Sequence, residues 1–309
     1  MEQVESLLVE SVVSDLPFMT LTSRHLVEAG GKRFRPLLVL LAAELGRPDS
    51  PGVLPAAVVV ELTHLATLYH DDVMDAADLR RGAPSANAQW DNTVAILTGD
   101  FLFSRASNIL ADLGPEAVRI QARTFERLVV GQIKESVGPA DTDDPVEHYL
   151  SVVADKTGSL IATSGQFGAL MAGAPSGVVE LMTRFGESIG IAFQLADDLL
   201  DVNSESADSG KVPGTDLREG IRTLPVLHAL ASASPADAEL RELLVSDLAE
   251  ASRHARALSL LRASDAMGEA NRDLRRYADQ ARQLLAPLPS SAAKSGLEAI
   301  CDLVVSRTS

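Results

Sequence analysis

Two short aspartate clusters with the same spacing are the residues in this sequence most able to do chemistry. Each has the pattern Asp-Asp-x-x-Asp and follows an apolar run. Because residues i and i+4 share a face of a helix, the first and last aspartates of each cluster project together if the segment is helical. The clusters are Asp71, Asp72 and Asp75, and Asp197, Asp198 and Asp201.

Carboxylates gathered in this way predict a site for a hard cation. Oxygen ligands with little histidine suit Mg²⁺, which keeps waters and commonly binds a few carboxylates together with substrate phosphates. Two such clusters could hold several ions around one diphosphate, with the metal acting as Lewis acid and template. A solvated acidic face is the alternative, but like charges beside apolar flanks are costly, and the repetition argues against it.

Basic residues accompany both clusters, and phosphate oxygens need such donors. Arg matches phosphate bidentately, whereas Lys acts as a point charge. Because the formal net charge is −16, local cations or bound metal must overcome the overall field if an anionic substrate binds. The candidates are Lys32, Arg33 and Arg35 after two glycines, Arg80 and Arg81 after the first cluster, Lys156 beside Thr157, and Lys211 after the second cluster.

Each basic group is weak evidence when taken alone. A pair of cations is usually a solvated surface feature, and Arg80 and Arg81 could merely neutralise Asp78 and Asp75. His64 lies about two helical turns before the first cluster and could face the same cleft, although a core or surface histidine is the default. Their placement beside the two clusters favours binding.

Helices must position these groups, because apolar residues recur with helical spacing along most of the chain. No linker divides it, so we predict one all-α domain over residues 1–309 with about ten helices. Segments 79–85 and 203–215 are predicted loops, the second a lid that closes over the site. Segment 147–171 is one helix or two. The other predicted helices are 36–45, 53–74, 93–113, 116–136, 178–202, 223–232, 236–249, 252–262, 264–285 and 293–305.

Composition excludes several classes of protein. Hydrophobic residues make up 46% and aromatic residues 4%, a balance that favours packed helices over a β-sandwich. The acidic charge argues against nucleic acid as a partner. Cys301 is the single cysteine, so we expect no disulfide or zinc site, a buried thiol and a cytoplasmic location. The first residues lack the basic region of a signal peptide, and no apolar run approaches the roughly 18 residues that span a bilayer.

Together these motifs resemble the trans-isoprenyl diphosphate synthases, or polyprenyl synthetases. The resemblance covers nearly the whole chain, and the motifs are jointly specific. The matching segments are Gly-Gly-Lys-Arg-Phe-Arg-Pro at 30–36, His-Asp-Asp-Val-Met-Asp at 70–75, Arg-Arg-Gly at 80–82, Gly-Asp-Phe-Leu at 99–102, Lys-Thr-Gly at 156–158, Phe-Gln-Leu-Ala-Asp-Asp-Leu-Leu-Asp at 193–201, and the segments 210–220 and 223–225.

The resemblance implies an isoprenoid-synthase-type bundle of about ten or more helices around a central cavity, usually as a homodimer. It also implies a reaction. An allylic diphosphate ionises with the help of Mg²⁺, the double bond of isopentenyl diphosphate attacks the cation, and a proton is lost to give a trans-polyprenyl diphosphate. No membrane span is expected, and a transient membrane contact for product release is left open.

The resemblance further assigns roles residue by residue. Asp71, Asp75 and Asp197 are expected as metal ligands. The catalytic set also includes Asp72, Asp198, Asp201, Lys156 and Lys211. The isopentenyl diphosphate site is expected at Lys32, Arg35, His64 and Arg81. The allylic diphosphate site is expected at Arg80, Lys156, Thr157, Gln194 and Lys211.

The residues one turn before the first cluster bear on product length. Ala66 and Thr67 would floor the cavity, and both are small where short-chain members often carry an aromatic. The first cluster also lacks the insertion that several short-chain relatives have, so we predict a C30–C50 product. Deeper blocks would leave geranylgeranyl diphosphate (C20) as the alternative. Candidates for such blocks are Phe101, Phe103, Phe125 and Leu128.

Two points depart from the family pattern or stay open. In Gly-Gln-Ile-Lys-Glu at 131–135 the acid expected after Gly-Gln has moved or is replaced by Glu135, so no role is assigned there. Whether a longer N-terminal helix precedes the Gly-Gly-Lys motif is also left open.

Three other functions compete with the synthase. A terpene cyclase would use a differently composed second metal site, and a non-catalytic partner subunit would show a degraded cluster. A purely structural bundle gives no reason for charges at these spacings.

Overall fold

A computed structural model describes residues 1–203 and 213–307, and in those ranges nearly all of the regular secondary structure is helical, as predicted. A π-helical turn covers Ala154–Gly158 and a 3-10 turn covers Pro235–Asp237. The α-helices are α1 (Glu2–Ser11), α2 (Pro17–Glu28), α3 (Phe34–Ala43), α4 (Val53–Met74), α5 (Ala86–Gln89), α6 (Asn92–Leu113), α7 (Pro115–Val137), α8 (Pro145–Val153), α9 (Ser159–Met171), α10 (Ser176–Asn203), α11 (Thr215–Arg218), α12 (Leu224–Ala231), α13 (Ala238–Leu244), α14 (Ala251–Ala263), α15 (Asp265–Leu284) and α16 (Ala292–Ser306).

The helices that carry the aspartate clusters agree closely with the predicted ones. Helix α4 has the predicted bounds, and α10 extends the predicted helix by two residues at the start and one at the end. Side chains cap several helices where the sequence supplies a short polar residue. Asp144, the residue directly before α8, accepts hydrogen bonds from the amides of Val146 and Glu147 and so starts the helix.

Some elements differ from the predictions. Helices α1, α2, α5 and α11 were not predicted. The predicted loop 79–85 contains a minimal hairpin of β1 (Leu79–Arg80) and β2 (Ala83–Pro84). Its two central residues, Arg81 and Gly82, have φ of 54° and 78°, as tight hairpin turns require. The predicted lid lies mostly in residues 204–212, outside the described residues, so it stays a prediction.

The described chain forms two compact units. The first comprises residues 1–126 and 160–186, and the second comprises the described residues of 127–159 and 187–307. In the first unit α4 packs chiefly against α6 and also against α1 and α3. In the second unit one apolar cluster draws on α10 to α15, with Val202, Leu217, Val226, Leu240 and Leu261 among its members. The single domain over residues 1–309 stays a prediction.

Helix α4 is the one helix of the described residues that is long and apolar enough to cross a membrane by length and composition, contrary to the expectation that no run would reach that length. In the structure 67% of its apolar window is buried. It also carries Glu61, which is 2% exposed and paired with Arg33. This is the pattern of a core helix.

Candidate active site

The first aspartate cluster lies at the C-terminal end of α4. The backbone amide of Asp75 donates to the carbonyl of Asp71 at 2.8 Å, so the two residues are one helical turn apart, as the spacing predicts. Their side chains differ in exposure: Asp75 is exposed, Asp71 is half-buried and Asp72 is fully buried. The cluster therefore presents Asp71 and Asp75 outwards and turns Asp72 into the protein.

Asp72 is paired with Arg80 of the hairpin. Arg80 Nε and Nη2 lie 2.6 and 2.5 Å from Asp72 Oδ1. Burial raises the pKa of the Asp72 carboxyl, and the bond and charge of Arg80 offset only part of that effect. The suggestion that Arg80 neutralises Asp75 or Asp78 is therefore wrong, because its partner is Asp72.

Arg81 fastens the hairpin to the glycine loop. Its guanidinium donates to the carbonyl of Leu26 at 3.0 Å and, at closer range, to the carbonyl of Gly30. Burial lowers the pKa of the guanidinium, although arginine still remains charged. Because the guanidinium of Arg81 donates to carbonyl oxygens, the suggestion that it neutralises an aspartate is also wrong.

One of the three cations in the glycine motif is structural. Arg33 has a φ of 47° and is 8% exposed. It pairs with Glu61 at 2.8 Å and with Glu5 at 2.7 Å, and it donates to the carbonyl of Val27. Lys32 is exposed and Arg35 is half-buried. These two cations, which are the ones assigned to isopentenyl diphosphate, are both more exposed than Arg33.

His64 lies among the basic residues, as expected from its position before the first cluster. Burial lowers its pKa well below the usual value, and the charges of Arg35, Arg81, Arg80 and Arg33 lower it further. The imidazole is therefore neutral at physiological pH. A neutral ring can donate one hydrogen bond to a phosphate oxygen while the arginines supply the charge.

The two residues assigned to chain length are unequally accessible. Ala66 is fully buried, whereas Thr67 is half-buried and its hydroxyl donates to the carbonyl of His64 at 2.8 Å. Next to them the His70 ring packs on Gly99 of α6, where an added Cβ would lie 2.6 Å from the ring carbon Cδ2. This contact explains the glycine of the Gly-Asp-Phe-Leu motif.

The second aspartate cluster lies near the end of α10, in the second unit. Its three carboxylates have different partners. Asp197 Oδ1 lies 2.5 Å from Arg307 Nη2, and its side chain is 40% exposed. Asp201 accepts hydrogen bonds from the amides of Thr215 and Asp216, each at 3.2 Å, and so binds the start of α11. Asp198 is 3% exposed.

A chain of hydrogen bonds joins Asp198 to two residues of the predicted allylic site. The Thr157 hydroxyl donates to Gln194 Oε1 at 3.1 Å, and Gln194 Nε2 donates to Asp198 Oδ1 at 3.1 Å. The Tyr149 hydroxyl donates to the other oxygen of Asp198. Burial raises the pKa of Asp198 to about 7, although the bonds from Tyr149 and Gln194 lower it. The structure thus brings Thr157, Gln194 and the second cluster together.

Lys156 lies in the π-helical turn between α8 and α9. Its ammonium pairs with Glu135 of α7 at 2.5 Å. Glu135 belongs to the segment to which no role was assigned, and the structure shows that its acid is in contact with a predicted site residue. Lys211, the last predicted site cation, lies outside the described residues.

Sequence reasoning missed Tyr149, Glu135 and Arg307. For two of them the sequence contains a pattern that could have indicated a role. Tyr149 precedes Lys156 by seven residues, or about two turns, so in a regular α-helix the two would share a face. Glu135 is the acid after Gly-Gln. Arg307 is separated from Asp197 by 110 residues, so no local pattern relates them.

The donor chemistry fits a divalent cation. No three acidic, cysteine or histidine side chains in the described ranges form a preformed metal site. Asp72 Oδ2 is nevertheless a buried carboxylate oxygen without a hydrogen-bond partner, and Asp197 is partly exposed. Hard oxygen ligands of this kind suit Mg²⁺ or Ca²⁺.

Comparison with known proteins agrees with this chemistry. A family model described as polyprenyl synthetase matches residues 17–261. A nonaprenyl diphosphate synthase of Mycobacterium tuberculosis is 53% identical over 284 residues, which are 92% of this chain and 85% of that protein. The crystal structure of a geranylgeranyl pyrophosphate synthase from Corynebacterium glutamicum, complexed with calcium and isoprenyl diphosphate, matches with a TM-score of 0.90 and 47% identity, covering 100% of this chain and 95% of that one. That of a decaprenyl diphosphate synthase from Rhodobacter capsulatus matches with a TM-score of 0.91 and 34% identity, covering 100% and 96%.

The chain belongs to the polyprenyl synthetase family. It is a trans-prenyltransferase, with the all-helical fold of its solved relatives. The Corynebacterium relative is complexed with calcium, a divalent cation with the same preference for oxygen ligands.

Proposed function

We propose that this chain is a magnesium-dependent synthase that condenses isopentenyl diphosphate with an allylic diphosphate to give a trans-polyprenyl diphosphate of C30–C50. The hydrogen-bonded chain from Thr157 through Gln194 to Asp198 carries the proposal. It links two groups suited to phosphate oxygens to a carboxylate of the second cluster.

The residues of this chain would have the following roles. Asp71, Asp75 and Asp197 would be the magnesium ligands, and magnesium, when bound, would supply a Lewis acid for the leaving diphosphate. Lys156, Thr157 and Gln194 orient the allylic diphosphate, together with Arg80 and Lys211.

At the isopentenyl diphosphate site, Lys32, Arg35 and Arg81 neutralise the phosphates and neutral His64 donates a hydrogen bond. Stabilising charge on the leaving group is the largest expected contribution to the rate. The apolar residues of α4 keep water from an allylic cation that solvent would otherwise capture.

The length of the product is the open part of the proposal. Small side chains at Ala66 and Thr67 favour C30–C50, and the relative named nonaprenyl diphosphate synthase supports a long chain. Geranylgeranyl diphosphate (C20) is the alternative, supported by the name of the Corynebacterium relative.

Product analysis tests the function directly. The full chain is incubated with Mg²⁺, labelled isopentenyl diphosphate and, in separate reactions, allylic starters of five, ten, fifteen and twenty carbons. We expect prenyl diphosphates of C30–C50 that require both substrates. A hydrocarbon formed from geranylgeranyl diphosphate alone would indicate a cyclase. No product with any starter would indicate a non-catalytic subunit.

Substitution of the aspartates tests the metal assignment. We expect Asp71→Ala or Asp197→Ala to lower turnover by about 10³-fold or more, because charge stabilisation of the leaving group is lost. Circular dichroism of both variants checks that the fold survives. Turnover within a few-fold of wild type would contradict the assignment.

A homodimer and a cytoplasmic location complete the proposal. Four large apolar side chains of α7, Val129, Val130, Ile133 and Val137, are between 41% and 79% exposed. Their covering by a second copy would remove apolar surface from water. Light scattering after size exclusion, with Ile133→Glu as the disrupting variant, tests the dimer.

A further inference from the structure

The turn that carries Lys156 and Thr157 has an unusual backbone. Helix α8 continues into one π-helical turn, Ala154–Gly158, before α9 begins. Single π turns inside helices are rare, and they often occur at functional sites. Because such a turn shifts the register of the side chains that follow, it needs contacts from outside to hold it in one geometry.

One face of α7 supplies those contacts. Arg127, Gly131 and Lys134 are spaced four and three residues apart, so they share a helical face. Arg127 Nε lies 2.8 Å from Asp155 Oδ1, and Lys134 Nζ lies 2.8 Å from Asp155 Oδ2. The two oxygens of Asp155 are therefore each bound by a different cation of α7.

The same cations reach groups next to Asp155. Arg127 Nη2 donates to the carbonyl of Ala154 at 3.2 Å, and Lys134 Nζ donates to the Ser151 hydroxyl at 2.8 Å. Burial raises the pKa of Asp155, but the bonds from Lys134 and Arg127 outweigh that effect and hold the pKa below its usual value. Asp155 is thus ionised and fixed at neutral pH.

Glycine brings the backbones together at the centre of this contact. A Cβ on Gly131 would lie 2.8 Å from the amide nitrogen of Lys156 and 3.0 Å from Asp155 Cβ. A side chain at position 131 would therefore push the turn away from α7. The close backbone contact at Gly131 and the ion pairs of Asp155 therefore both act on the π-helical turn, Ala154–Gly158.

We propose that Arg127 and Lys134, acting through Asp155, are positioning residues that hold the π-helical turn so that Lys156 and Thr157 bind the allylic diphosphate. The inference deepens the proposed function and rests on it. It assigns a role to the segment 131–135, in which the acidic position departs from the family pattern. Asp155 itself contacts no substrate in this scheme.

Two variants test this role in the full-length protein. Asp155→Asn keeps the shape of the side chain and removes its charge, and Lys134→Met keeps the stem and removes the ammonium. For each we measure KM for both substrates and, by calorimetry with Mg²⁺, the Kd of a non-reactive thio analogue of an allylic diphosphate. We expect KM and Kd for the allylic ligand to rise about tenfold, because small misplacement of binding groups is costly. KM for isopentenyl diphosphate should stay within about twofold of wild type.

The matched control is Asp273→Asn in the same unit. Asp273 is ion-paired with His228 and Arg276 and has a similar exposure, 22% against 16% for Asp155, but it lies on α15. We expect it to change neither KM. Asp155→Glu, which keeps the carboxylate, should recover part of the allylic affinity.

Three results would separate the inference from the proposed function. Equal rises in both KM values, or unchanged allylic affinity in Asp155→Asn and Lys134→Met, would overturn the positioning role. A wild-type protein that makes no product would overturn the proposed function. In that case hydrogen exchange of the segment 150–162 still tests the inference. Faster exchange in Asp155→Asn supports the positioning role, and unchanged exchange overturns it.

Discussion

Arg307 is bound to Asp197, the first residue of the second aspartate cluster. Its Nη2 lies 2.5 Å from Asp197 Oδ1, and its guanidinium lies over the ring of Phe193 at 4.9 Å. A cation of the chain thus contacts a carboxylate that we assign to the metal. A bound divalent ion and Arg307 would compete for the same oxygen.

We therefore expect Arg307→Gln to bind magnesium more tightly. Partly exposed ion pairs contribute roughly 0.2–1 kcal/mol, so the Mg²⁺ concentration for half-maximal activity should fall by about 1.4-fold to fivefold. Calorimetric titration of Mg²⁺ in the presence of inorganic pyrophosphate measures the same change without turnover. Arg276→Gln, which breaks an ion pair with Asp273 on α15, is the control. An unchanged or weaker magnesium affinity would contradict the competition.

Tyr149→Phe should destabilise the protein. The Tyr149 hydroxyl donates to Asp198, which is 3% exposed, so the substitution leaves a buried carboxylate oxygen with one donor fewer. Loss of a bond to such a group costs about 1–3 kcal/mol. Urea unfolding monitored by circular dichroism measures the loss. Tyr277→Phe on α15 provides the comparison, and equal effects of the two substitutions would argue against a special role for Tyr149.

The product should become shorter when a residue one helical turn before the first cluster is made larger. We expect Ala66→Phe to remove one or more C5 units from the chain, measured by chromatography of labelled products. Because Ala66 is fully buried, the larger ring should also cost about 1–3 kcal/mol through overpacking. Thr67→Phe, at a half-buried position, tests the same region with less strain. Chain lengths identical to wild type in both variants would sink the assignment.

Stability should depend on pH through His64. Its pKa in the folded protein is lowered well below 6.5, so below pH 6.5 the unfolded chain binds a proton that the folded protein excludes. The free energy of unfolding therefore falls as the pH falls from 6.5 towards the folded-state pKa. His64→Gln removes this contribution. We measure the free energy of unfolding of both proteins in urea between about pH 5.5 and 7.5. It should fall more for the wild type than for His64→Gln as the pH falls, and a pH-independent difference between the two would contradict the prediction.

Local patterns in the sequence predicted the elements that carry the chemistry. Helix α4 has its predicted bounds because the apolar run and the loop residues that flank it are local features of the sequence. The pairing of Thr157, Gln194 and the second cluster also follows from motifs that the resemblance grouped. The π-helical turn was not predicted, since the contacts that hold it come from α7.

Which cation of the glycine motif is structural could not be predicted either. Arg33 finds its partners at Glu5 and Glu61, each 28 residues away, so only the tertiary structure distinguishes it from Lys32 and Arg35. The aspartates of the two clusters have different partners for the same reason, because those partners come from distant parts of the sequence. Equal spacing made the clusters look equivalent, and distant residues made them different.

The contact between His70 and Gly99 has a consequence for mutational tolerance. Gly99 carries no functional group, and it lies on a different helix from the first cluster. Even so, the smallest possible side chain there would strike the His70 ring, which is next to Asp71, and force the ring to move. A survey that ranks positions by chemical type would call this residue replaceable, whereas we expect its replacement to disturb the ring that precedes the first aspartate cluster.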